Sequence, residues 1–279
     1  MSFKQQLQDE GWFVARQVLS PADIEVALNR LRQVARHIEG YDRLPHAHRA
    51  EAPELANHAD PLFRFEWIDG ITFYDQPLWK HVAAHPALLE IAREVVGEQV
   101  FPLNGGGVFL KPPGSDKSVP WHQDASPFAM HPVDGHATNP LLFDFWLGLT
   151  PATREMGCLR LIPGSQHRGR LEHKAAGGIL PQLDIHALGY SDRDIVSVET
   201  GPGDVIVWHQ DMIHGSEPNR SSRSRVAVAS VYHGQAEEQS LREVHRKGAN
   251  RRRPQLCDGD RILPLDDPIT PPWQAHPAP

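Results

Sequence analysis

The chain has 279 residues, of which 40% are hydrophobic and 23% charged, enough to bury a substantial core and too apolar for general disorder. Its formal net charge of -7 argues against nucleic acid as the main partner, and no apolar run approaches the roughly 18 residues that a membrane helix needs. Two cysteines, Cys158 and Cys257, make neither a disulfide framework nor a zinc pair.

Taken in chain order, Met1 to Phe13 lack the apolar stretch of a signal peptide, which points to a cytoplasmic protein. The first forty residues read as a helical entry. Ser20 is a capping residue and Pro21 suits a first helical position. Ile24, Leu28, Leu31, Ala35 and Ile38 then recur at helical spacing as one apolar stripe. Residues 41–60, polar and rich in His, Ala and Pro, read as an exposed connection. A second helix is predicted from Pro86 to Val96, with Gly97 as its stop.

After Gly97 the periodicity changes. Short apolar runs follow at Val108–Leu110, Leu142–Leu149, Cys158–Ile162, Val205–Trp208 and Val226–Tyr232, separated by Gly/Pro clusters. Many short strands with turn signals between them predict a β-sandwich or jelly roll. The organisation expected is one domain over 1–279: a mostly helical part at 1–100, a β core at 101–235 and an extension at 236–279. The tail from Pro264 is proline-rich and is expected to lack regular structure.

Chemistry concentrates at Trp121-His122-Gln123-Asp124. On a strand, residues two apart share a face, so His122 and Asp124 would present an imidazole and a carboxylate together. Two His and one carboxylate on one side of an iron(II) ion leave positions for a chelating co-substrate and dioxygen; a closed four-ligand zinc site does not. A lone HxD is weak, and the chain has a second, His209-Gln210-Asp211. The first gains weight from His214, which follows the apolar run Val205–Trp208. Gly215 to Asn219 then turn the chain, and a hairpin would bring Arg225 back beside His214. Its planar fork suits a carboxylate.

These motifs resemble the phytanoyl-CoA dioxygenase family of iron(II)/2-oxoglutarate oxygenases over most of the chain, from Gly11-Trp12-Phe13 to about Tyr232. The resemblance rests on Lys111-Pro112-Pro113-Gly114 ahead of His122-Gln123-Asp124, on Trp146, and on Gly157-Cys158-Leu159 with Pro163-Gly164-Ser165. It is completed by His214-Gly215-Ser216, Pro218-Asn219 and Arg225. It implies a mainly β protein with flanking helices around a double-stranded β-helix (jelly-roll, cupin-like) core. It implies that His122, Asp124 and His214 bind iron(II), that Arg225 and Ser216 hold the far carboxylate of 2-oxoglutarate, and that Trp146 lines the co-substrate pocket. His209 falls where some members have a histidine that is not a ligand. Gln166 departs from the histidine of many members, and the segment from Ala125 to Pro140 is longer than in the phytanoyl-CoA enzymes.

The reaction implied hydroxylates an unactivated C–H bond of a small organic substrate, anionic or linked to coenzyme A, using O2 and releasing succinate and CO2, with ascorbate as an optional reductant. Halogenation, epimerisation, desaturation, a non-catalytic jelly-roll binding protein and a zinc hydrolase are the alternatives. Asp124 argues against a halogenase, which replaces the metal carboxylate with a small residue. Loop 125–140 reads as a lid or an ordinary surface loop. The basic run Arg242, Arg246, Lys247, Arg251, Arg252 and Arg253 reads as a solvated patch or a phosphate contact.

Overall fold

The computed structural model describes residues 2–38, 47–68, 75–97, 100–124, 143–174, 182–234, 257–258 and 261–262. Loop 125–140, the basic run 242–253 and the tail from Pro264 lie outside them. Among the described residues, three longer helices flank the β core: α1 (Phe3–Glu10), α2 (Pro21–Arg36) and α3 (Pro86–Val96). The α2 start is a capping box. Ser20 Oγ accepts from the Asp23 N–H at 3.2 Å, and the Asp23 carboxylate accepts from the Ser20 N–H at 3.2 Å. Its stripe is buried at Ile24, Leu31 and Ala35, as the spacing predicts.

The strands are β1 (Trp12–Ala15), β2 (Ala47–Arg49), β3 (Phe65–Ile68), β4 (Phe101–Lys111), β5 (Val119–His122), β6 (Phe143–Gly148), β7 (Leu159–Leu161), β8 (Val196–Val198), β9 (Val205–His209), β10 (His214–Ser216) and β11 (Arg225–His233). Two sheets form, in the orders β1-β9-β6-β11-β4-β3-β2 and β5-β10-β7-β8, with every pairing antiparallel. Sequential strands divide between the sheets, and this is the jelly roll that the strand pattern predicts. A two-residue pair, Cys257–Asp258 with Arg261–Ile262, is recorded in the extension.

The helical reading of the first forty residues misses β1, and the reading of 1–100 as mostly helical misses β2 and β3. Four residues are too few to show a period. β1 is a strand because its backbone pairs with β9, Phe13 opposite Val207, and Phe13 is fully buried there. Residues 47–49, expected as exposed connection, pair with β3.

The large sheet is buried on both faces at β6, all six of whose residues are buried. Phe145 and Leu147 point toward the helices with Leu31, Leu89, Val207 and Val228. Trp146 points the other way, into the space between the sheets, with Ile206, Trp208, Ala227, Leu159 and Leu161. Strand alternation therefore divides one apolar run between two cores. The second of these surrounds the functional groups.

Candidate metal centre

β5 and β10 are neighbours in the small sheet, and His122 and His214 are direct partners in their register. Cross-strand partners share a face, so the imidazoles meet, with ring centroids 4.2 Å apart. Asp124 lies just past the end of β5. Its Oδ1 is 3.5 Å from His122 Nε2 and its Oδ2 is 3.3 Å from His214 Nε2. One ligand atom from each of the three lies within 4.8 Å of the others, and this is the one such His/Cys/Asp/Glu cluster among the described residues.

The tautomers are set by backbone carbonyls. His122 Nδ1 is 2.8 Å from Pro120 O, and His214 Nδ1 is 3.0 Å from Met212 O. A carbonyl only accepts, so each Nδ1 carries a hydrogen, and each Nε2 faces Asp124, as a donor when the ring is charged and as a free lone pair when it is neutral. Two Nε2 lone pairs and a carboxylate converging on one point are the donor set of a non-haem iron(II) centre, so the residues fit that metal. Burial pushes the His214 imidazole down to about 4, which keeps it neutral. Burial opposes the charged form of His122 too, but the hydrogen bond and charge of Asp124 outweigh it and raise its pKa. Burial also works against the Asp124 charge; His214, with hydrogen bonds from His122 and from Trp208 Nε1 at 3.1 Å, nonetheless holds this carboxyl below the usual range. Its side chain remains 28% exposed, so the centre is approached from the Asp124 side.

Arg225 arrives differently from the expected hairpin. β10 belongs to the small sheet and β11 to the large one, so Arg225 enters the inter-sheet space from the sheet opposite His214. It is buried, donates to Gly157 O at 2.6 Å, and lies over the Trp146 ring at 5.5 Å from its centroid; its Nε has no hydrogen-bond partner among the described residues. Gly157 is in the left-handed region at φ +68, where a side chain would run into the Glu217 carbonyl, so glycine is needed to bring its own carbonyl to Arg225. Ser216 is buried on the same face of β10 as His214. The structure thus brings His122, Asp124, His214, Ser216, Trp146 and Arg225 to one inter-sheet space. His209 is elsewhere: its Nδ1 accepts the Asp211 N–H at 3.0 Å and its ring meets Phe143 edge-on.

Sequence reasoning quoted Lys111 only as part of a motif. It sits opposite Arg225 in the β4–β11 register, so both cations point to one face, and it is buried. Its Nζ donates to the carbonyls of Lys117, at 3.1 Å, and Glu217. Burial, then the Arg225 charge, push this amine down to about 6. Asp144 was missed altogether, although a carboxyl in the run Phe143-Asp144-Phe145-Trp146 is a visible signal. Burial and the charge of Asp124 raise its pKa well above the usual range.

The profile of the phytanoyl-CoA dioxygenase (PhyH) family matches residues 7–227. The chain belongs to this dioxygenase family. Among its relatives, a probable phytanoyl-CoA dioxygenase of Caenorhabditis elegans is 28% identical over 170 residues, covering 57% of this chain and 52% of that protein. The chain therefore spans about half the length of that relative. A 1-deoxypentalenic acid 11-beta-hydroxylase of Streptomyces arenae is 27% identical over 229 residues, covering 76% and 72%. An L-proline trans-4-hydroxylase of Streptomyces griseoviridis is 27% identical over 240 residues, covering 80% and 82%. In fold, the chain is similar to EctD from S. alaskensis, solved with 2-oxoglutarate and 5-hydroxyectoine, at TM-score 0.64 and 20% identity over 85% of this chain and 77% of that one. It is also similar to the epimerase SnoN, solved with Fe3+, alpha ketoglutarate and nogalamycin RO, at TM-score 0.60 and 15% identity over 83% and 82%. Among the described residues no helix is long and apolar enough to cross a membrane.

Proposed function

We propose that this family member hydroxylates an unactivated C–H bond of a small organic molecule, with iron(II) held by His122, Asp124 and His214 and 2-oxoglutarate as co-substrate. The observation that carries the reading is the convergence of His122 Nε2, His214 Nε2 and the Asp124 carboxylate within 4.8 Å. The bound metal supplies activation of dioxygen and the oxidative decarboxylation that yields succinate and CO2.

The chain's own residues bind, orient and exclude water. Arg225, with its unpartnered Nε and its second bond fixed at Gly157, takes the far carboxylate of 2-oxoglutarate, and Ser216 adds a hydroxyl donor. Lys111 supplies an amine on the same face. As an amine pushed down to about 6 it gains its proton most readily when a carboxylate arrives beside it. Trp146 walls the co-substrate and orients Arg225 by its ring face. The apolar cluster of Ile206, Ala227 and Leu161 keeps this end dry. Ascorbate serves as reductant for centres oxidised without product, and the substrate is a small molecule, anionic or thioester-linked.

Hydroxylation is preferred because Asp124 occupies the metal face that a halide would need, and because two of the relatives are hydroxylases. The test is to load the protein anaerobically with iron(II), add 2-oxoglutarate, O2 and a panel of candidate substrates, and follow succinate and product mass. Substrate-stimulated succinate with a gain of one oxygen atom supports hydroxylation. A product of unchanged mass or a loss of two hydrogens contradicts it.

A further inference from the structure

Gln123 lies between the two metal residues of β5 and its turn, and alternation sends its side chain to the opposite face from His122 and Asp124. It is fully buried. Its amide uses both donors and its acceptor: Nε2 donates to Gly169 O at 2.8 Å and to Asp211 O at 2.6 Å, and Oε1 accepts from the Leu171 N–H at 2.8 Å. Its backbone N–H donates to His173 Nε2 at 2.9 Å, while His173 Nδ1 bonds Leu171 O at 2.9 Å. Asp211 stands three residues before His214. Between them, Met212 O fixes the His214 ring and Ser165 Oγ accepts from the Ile213 N–H at 2.8 Å. One amide thus joins the backbone of the His122–Asp124 arm to the backbone of the His214 arm, and ties both to the segment 169–173.

We infer that Gln123 is a positioning residue that sets the spacing of the two ligand arms and makes the segment 169–173 respond to metal binding. The inference rests on the metal assignment of the preceding subsection. No other side chain of this length and shape offers two donors and an acceptor. Glutamate would turn a charge toward two carbonyls, and methionine would remove the donor that both carbonyls share. Residues that orient metal ligands without touching the metal typically change affinity by roughly ten- to a hundred-fold when lost. A core glutamine with a purely structural role would lower stability and leave the affinity of the folded protein unchanged.

The experiment uses the full chain and Co(II) alone as the probe. Co(II) affinity and helix and strand content are measured for wild type, Gln123→Met, Gln123→Glu and His214→Ala, and hydrogen exchange is followed with and without Co(II). The expected result is that Gln123→Met and Gln123→Glu fold, bind Co(II) about ten-fold or more weakly, and lose the metal-dependent slowing of exchange that wild type shows over residues 167–174, none of which is a ligand. Wild-type affinity in both folded variants overturns the inference while leaving the metal assignment intact. Should neither variant fold, the wild-type exchange decides: slowing over 167–174 supports the coupling, and unchanged exchange there overturns it. Co(II) binding that survives His214→Ala contradicts the metal assignment itself, and the inference falls with it.

Discussion

Asp124 stands between two imidazoles that are already aimed by backbone carbonyls, so its removal takes away charge without releasing either ring. Asp124→Ala is therefore expected to keep the fold and lose substrate-dependent succinate formation, as followed by succinate release beside a thermal melt. Full activity in that variant refutes the ligand assignment. On the large sheet, Arg225 and Lys111 have unequal roles. Arg225→Met removes a planar fork with an unpartnered Nε; we expect the KM for 2-oxoglutarate to rise by about a hundred-fold, corresponding to about 3 kcal/mol. Lys111→Met removes an amine whose hydrogen bonds go to two carbonyls, and a smaller rise, about ten-fold, is expected. Steady-state kinetics in 2-oxoglutarate check both, and equal KM values for wild type and Arg225→Met contradict the assignment. The cluster of His122, Asp124 and His214 was legible in the sequence because the HxD spacing places two of its members on one strand face and a histidine at the end of a distal apolar run supplies the third. Lys111 and Asp144 were not read as site residues, because their importance comes from burial and from neighbours far along the chain: Arg225 lies opposite one and Asp124 beside the other.

At the scale of elements, β1 shows what local pattern cannot supply. It becomes a strand through its partner β9, and it is locked at its end by Asp204. That carboxylate accepts from the Gln17 N–H at 2.9 Å, the Gly201 N–H at 2.9 Å and Arg16 Nη1 at 2.6 Å. Burial opposes its charge, but the two backbone hydrogen bonds and Arg16 outweigh it and hold the pKa below the usual value. A carboxyl lowered in the folded state contributes stability at pH values above its unfolded pKa, and this contribution is lost as pH falls through the folded value. Asp204→Asn is thus expected to cost about 1–3 kcal/mol at neutral pH, with the gap from wild type closing on acidification below the usual carboxylate range. Denaturant melts across pH check this; a gap that stays constant to the acid limit assigns the loss to packing. Helices α2 and α3 were legible because eleven or more residues display a stripe and a cap. The hairpin reading for Arg225 failed for the converse reason. Strand exchange between sheets leaves no periodic mark, so the sequence around 214–225 suits a hairpin and a crossing of the sandwich equally well.

For the whole molecule, the jelly roll explains why chemistry and packing share one space. β6 divides its side chains between a helix-covered core and an inter-sheet core, and the second core is bordered by the His122–Asp124–His214 cluster of the small sheet and by Arg225 and Lys111 of the large one. On the proposed reading the small sheet would hold the metal and the large one the far carboxylate, so that a single dicarboxylate would span both sheets. The most direct measurement is calorimetric titration of 2-oxoglutarate, without O2, into the protein loaded with iron(II) and into the metal-free protein. A single equivalent bound to the loaded chain, greatly weakened by metal removal and by Arg225→Met alike, is the expected result. Binding that is indifferent to the metal, or that survives loss of Arg225 unchanged, contradicts the proposal that these two sheets hold the two ends of one co-substrate.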